Sequence, residues 1–89
     1  MIVYWVREKE HTDIYTQGYV GITSKPLKGR IREHRKNKKR SIVAEKLRKS
    51  SDLVWEVVHE CEFLEEALRL EALYRSGPCI GWNLQSGVS

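Results

Sequence analysis

Residues 18–34 read GYVGITSKPLKGRIREH, and where this stretch is divided decides the fold. Tyr19-Val20-Gly21-Ile22 is aromatic and β-branched around a glycine, a composition suited to a pleated strand. Pro26 has a fixed φ and no N–H, so it fits the first turn of a helix and interrupts a strand. Beyond it, Leu27, Ile31 and His34 follow the i, i+4, i+7 spacing of a helix's inward stripe. The segment therefore reads as a strand over Tyr15–Ile22, weakened at Gln17-Gly18, then a helix running to about Lys36.

Upstream, Ile2–Arg7 (IVYWVR) is a second strand. Glu8–Ile14 is polar and irregular, a hairpin loop. Downstream, Asn37–Arg40 breaks the helical pattern and Ser41 can cap another helix through about Lys49. Leu53–Glu60 (LVWEVVHE) reads as a third strand, and Phe63–Arg75 as a helix rich in Leu, Ala and Glu that ends at Gly77-Pro78. Gly81–Gly87 is an irregular tail whose Trp82 should pack back on the body. The expected order is ββααβα: one α+β domain over residues 1–89, with a small three-stranded antiparallel sheet flanked by about three helices.

The net charge of +4 hides a segregation. Lys25–Lys49 holds 12 of the 16 basic residues and only two acids, Glu33 and Glu45, whereas Asp52–Glu71 holds seven acids against Arg69 alone. Such asymmetry favours a polyanionic partner on the basic side. No apolar run nears the roughly 20 residues that span a bilayer, and MIVYWV runs into REKEH without a cleavage-site pattern. No membrane partner and a cytoplasmic setting are the expectation. Cys61 and Cys79 are too few for a disulfide framework, and His59-Glu60-Cys61 with Cys79 lacks the spacing of a closed zinc site.

Several polar residues converge on one place. A hairpin folded about His11-Thr12 pairs Tyr4 with Tyr19, Cβ atoms about 4.5–5.5 Å apart. Gly21 falls on the same face, so two phenols border a notch of bare backbone; cross-strand tyrosine packing is the plainer alternative. Arg30 lies one turn from His34 and faces the edge of the core, where a guanidinium needs an anion. On the last helix Phe63, Leu64, Ala67, Leu70 and Tyr74 gather on one side, and Glu71 falls inside that stripe. A carboxylate aimed at the core needs a partner or a metal; Arg75, one turn on, is the alternative to a metal.

These residues resemble the GIY-YIG endonucleases. Ile2-Val3-Tyr4 looks like the first tripeptide of that family and Tyr19-Val20-Gly21 like the second. Arg30 stands at the family's arginine, His34 at the histidine of its homing and restriction members, Glu71 (in ALRLEALY) at its metal-binding glutamate and Asn83 (in GWN) at its closing asparagine. Two positions depart: Ile2 replaces the first tripeptide's glycine, and Gly29 stands where several members carry lysine.

The resemblance implies metal-dependent hydrolysis of DNA phosphodiesters. Glu71 would hold one divalent ion, Mg²⁺ with Mn²⁺ as a substitute, and Arg30 would neutralise the phosphate oxygens. A tyrosine, Tyr4 ahead of Tyr19, would orient or deprotonate water with help from His34. Gly21 and Asn83 would shape and close the site. The basic residues Lys25, Lys28, Arg35, Lys36, Lys38, Lys39 and Arg40 would track the DNA backbone, with weak sequence preference and steep salt dependence. An accessory protein or self-association is compatible with one active site cutting one strand. A catalytically inactive nucleic-acid-binding module of the same fold is the main rival, and an adaptor docking an acidic protein the lesser one.

Overall fold

The computed structural model describes residues 1–36, 46, 53–77 and 80–83, and of residues 34–36 the backbone only. Strands β1 (Ile2–Arg7) and β2 (Tyr19–Thr23) are followed by helix α1 (Leu27–Lys36), strand β3 (Val54–Glu60) and helix α2 (Leu64–Tyr74). The α+β class and the antiparallel three-stranded sheet agree with expectation. The described residues hold two helices rather than about three, in the order ββαβα. The expected helix over Ser41–Lys49 lies outside them apart from Lys46.

Strand order is β2-β1-β3. The central position of β1 explains its composition: Val3, Tyr4 and Val6 are fully buried and Trp5 nearly so, because both faces of the strand are covered. On one face Val3, Trp5 and Val20 meet Ala67 and Tyr74 of α2 and Cys61. On the other, Tyr4 and Val6 pack with Ile2, Tyr19, Trp55, Leu27 of α1, and Trp82, which does fold back on the body. Ile2 pairs with Thr23 and joins this second cluster, so the departure from the family's glycine leaves β1 paired with β2 from its first residue.

The hairpin register is shifted from the expected one. Tyr4 sits opposite Gly21, and Tyr19 opposite Val6. The cause is local: Asp13 caps its own turn, accepting from Tyr15 N at 3.0 Å and Thr16 Oγ1 at 2.8 Å, while Gln17 Oε1 accepts from Thr12 N and Asp13 N. This side-chain turn takes up Tyr15–Gln17, which were expected to begin β2. Gly18 then turns the chain at φ 69°; a Cβ there would lie 2.3 Å from the Val6 carbonyl oxygen, so only glycine fits. A shift of two residues keeps every side chain on its face, which is why both tyrosines and Gly21 still share one.

Along β3 the pairing slips by one residue between Val3 and Tyr4, a bulge. On α2, Ala67, Leu70 and Tyr74 point inward as the wheel requires, but Phe63 and Leu64 are 61% and 51% exposed. Phe63 is in extended backbone at the N-cap, outside the helical wheel, and offers no side-chain cap. Glu65 and Glu66 in the first turn supply negative charge toward the helix's positive end.

Candidate active site

The pocket is built from β1, β2 and α1. Tyr4 is inward-facing on the central strand, its ring centroid 6.1 Å from that of Tyr19 and 6.2 Å from Trp55. Gly21, directly opposite, makes room for the phenol: a Cβ at that position would fall 2.5 Å from the Tyr4 hydroxyl and 2.7 Å from Tyr19 Cε1. The notch expected from sequence is therefore real, and it is filled by the tip of Tyr4.

Helix α1 brings Arg30 to the same point. Its Nε donates to the Tyr4 hydroxyl at 2.9 Å, and its Nη1 donates to Glu33 Oε2 at 2.9 Å. Glu33 also accepts from Lys25 Nζ through its other oxygen. These two cations hold the Glu33 carboxyl below its ordinary range. Burial and the neighbouring Tyr19 phenol push the Tyr4 hydroxyl well above the tyrosine range, and outweigh the opposing pull of Arg30. Burial alone would lower Arg30, but its bonds to Tyr4 and Glu33 raise it further above any accessible pH. In the free protein, then, Tyr4 is a protonated phenol and Arg30 a fixed cation.

Glu71 comes from the other layer, on α2. It is half-buried, and burial raises its carboxyl above the usual range. Among the described residues no hydrogen bond or ion pair holds the carboxylate. The alternative partner, Arg75, is committed elsewhere: only its backbone N–H reaches Glu71, at the main-chain oxygen. A half-buried hard oxygen donor without a protein partner suits a divalent cation, whose other ligands would be water and phosphate oxygens. The described residues contain no cluster of three or more His, Cys, Asp or Glu that could cage a metal alone. His59, considered for zinc, instead bonds the Tyr74 hydroxyl at 2.9 Å.

What the sequence left unseen is the role of Arg75, which it offered only as a partner for Glu71. Its guanidinium is fully buried and donates from all three nitrogens: Nε to Asn83 Oδ1 at 2.8 Å, Nη1 to the carbonyls of Ile14 and Tyr74, Nη2 to those of Gln17 and Gly18. Asn83 in turn accepts from Val20 N and donates to Val20 O, both at 2.9 Å. Its amide thus serves the outer edge of β2 as a neighbouring strand's backbone would. Together they tie the hairpin loop, the end of α2 and the tail to β2, the strand that carries Tyr19 and Gly21. A signal existed: Arg75 lies only about 40° from Glu71 on the helical wheel, at the edge of the same apolar stripe.

The structure therefore brings Tyr4, Tyr19, Gly21 and Arg30 together, with Lys25 close by through Glu33. Asn83 supports them from the edge of β2. Lys28 is exposed on α1. The side chains of His34, Arg35 and Lys36, and all of Lys38, Lys39 and Arg40, lie outside the described residues.

A match to the GIY-YIG catalytic domain covers residues 1–76. The chain belongs to the GIY-YIG family. It is accordingly a nuclease-type domain, with nucleic acid as the substrate class of its family. Asn83 lies beyond the matched span. Comparison with curated proteins and with solved structures gives no match. Among the described residues, no helix is long and apolar enough to cross a membrane.

Proposed function

We propose that the protein is a metal-dependent DNA endonuclease in which Arg30, held by Tyr4, neutralises the scissile phosphate. The observation that carries this reading is the 2.9 Å bond from Arg30 Nε to the Tyr4 hydroxyl within the Gly21 notch. It spends one guanidinium edge on orientation and leaves Nη2 without a protein partner among the described residues, free to meet phosphate oxygens.

Tyr4 is fully buried and its proton is tightly held, so its part is to position Arg30 and donate its own O–H. Tyr19 is less buried and better placed to meet the attacking water. His34 would take the proton that water loses. Glu71 would hold the divalent ion, which when bound polarises the phosphate and eases departure of the leaving oxygen. Lys25, Lys28, Arg35, Lys36, Lys38, Lys39 and Arg40 would follow the backbone, giving affinity without strong sequence preference.

The test is nicking of supercoiled plasmid with Mg²⁺ or Mn²⁺ by the wild type, Arg30→Ala and Glu71→Ala. Cleavage that requires metal and disappears in both variants is the expected result. Equal, salt-sensitive DNA binding by all three without any cleavage, on branched substrates as well, would instead make this a binding module on a nuclease fold.

A further inference from the structure

Glu33 has no place in the chemistry above, yet it stands at its centre. Two cations converge on one carboxylate: Arg30 Nη1 on Oε2 at 2.9 Å, and Lys25 Nζ on Oε1. Neither cation is there by chance of a long side chain alone. Lys25 has its backbone N–H fixed on Thr23 Oγ1 at the end of β2, and Arg30 is anchored on Tyr4. The carboxylate that joins them is exposed, with 38% of its side-chain surface accessible, against 63% for Lys25 and 30% for Arg30.

A phosphodiester presents the same formal charge and the same pair of terminal oxygens as a carboxylate. Arginine and lysine placed to grip one oxygen each would grip the other anion equally well. Ion pairs this exposed are weak, because water screens them, so an incoming phosphate can displace Glu33. A phosphate bound only here would gain little over the carboxylate it replaces. A nucleic acid engaging other cations at the same time would gain more.

We propose that Lys25 and Arg30 form a two-cation seat for one backbone phosphate, and that Glu33 fills this seat in the free protein as an internal competitor. The proposal rests on the nucleic-acid reading above for the identity of the anion. Glu33 then acts as a threshold: it costs affinity for every substrate and is overcome by those that reach the rest of the basic face.

Binding of a short DNA duplex, measured by fluorescence anisotropy at low salt without metal, separates the possibilities. Wild type is compared with Glu33→Gln, with Glu33→Gln carrying Lys25→Ala, and with Glu65→Gln, which makes the same charge change at the start of α2. Glu33→Gln should tighten Kd about three- to fivefold, the size of one exposed ion pair, and the gain should shrink as salt rises. Adding Lys25→Ala should remove most of that gain, and Glu65→Gln should not reproduce it. If Glu33→Gln binds no tighter than a wild type whose own binding is salt-sensitive, the competitor is refuted while the nucleic-acid reading stands. Weaker binding also refutes it, since Glu33 would then be orienting Arg30; so does an equal gain from Glu65→Gln. Should neither wild type nor Glu33→Gln bind the duplex at all, the nucleic-acid reading falls and the seat with it.

Discussion

Two glycine-to-alanine substitutions should move this protein in opposite directions. At Gly29, inside α1, an added Cβ meets nothing within 4 Å. Alanine there removes only the backbone entropy cost of helical glycine, so Gly29→Ala should stabilise by about 0.5–1 kcal/mol. At Gly21 the same methyl would lie 2.5 Å from the Tyr4 hydroxyl and 2.7 Å from Tyr19 Cε1, about 1 Å closer than ordinary contact. Tyr4 cannot swing clear, since Tyr19 and Trp55 flank its ring and it is fully buried. Gly21→Ala should therefore cost about 1–3 kcal/mol by overpacking. The phenol can retreat only by lengthening its bond to Arg30 Nε.

With a urea m-value of about 1 kcal/mol/M, the unfolding midpoint should rise by about 0.5–1 M for Gly29→Ala and fall by about 1–3 M for Gly21→Ala. A displacement of about 1 Å at a catalytic group can cost about 100-fold in rate. Nicking by Gly21→Ala, assayed where the variant is still folded, should drop on that scale, while Gly29→Ala keeps its activity. Equal midpoints for the two variants, or full activity in a folded Gly21→Ala, would refute the notch as the device that aligns Tyr4 with Arg30.

Arg75→Ala should cost about 3–5 kcal/mol, because four carbonyls and the Asn83 amide each lose a charged donor; Arg75→Lys, keeping the charge but not the fork, should recover less than half, as read by urea unfolding. Glu71 is raised by burial, so in metal-free protein its ionised form opposes folding and this penalty grows as pH rises through the folded pKa. Glu71→Gln should then be more stable than wild type at neutral pH, with the difference fading as pH falls toward the ordinary carboxyl value, and Mn²⁺ should raise the Tm of wild type alone. Tyr19→Phe should lower kcat for nicking at least tenfold with little change in Tm, whereas Tyr4→Phe, which strips a buried partner from Arg30, should lower both.

Much of this molecule was legible in the chain because local signals agreed with the final fold. Pro26 marks the end of β2's turn and the start of α1, Leu27 packs inward as the spacing of α1 requires, and the β-branched and aromatic run of β1 suits a strand covered on both sides. The register was not legible, because it depends on Asp13 bonding its own turn, a choice among several open to a polar loop. Strand order was not legible either, since nothing in β3 says whether it joins β1 or β2. Arg75 was hidden by habit of charge: a basic residue at a helix end usually faces solvent, and only its wheel position hinted otherwise.

The placement of Arg75 bears on the site itself. β2 is an edge strand, and an edge strand is free to fray or shift along its neighbour unless its outer groups are held. Asn83 occupies those groups at Val20, one residue from Tyr19 and one from Gly21, and Arg75 fixes Asn83. Tyr19 and Gly21 lie on one face of β2, and the clamp acts through the backbone between them. Two devices therefore hold the site: a steric one, in which the bare backbone of Gly21 sets the depth of Tyr4, and a polar one, in which Arg75 and Asn83 hold β2 against β1. The first can fail with the sheet intact, and the second cannot. A change at Arg75 should move stability and activity together, whereas a change at Gly21 should cost far more activity than its loss of stability explains.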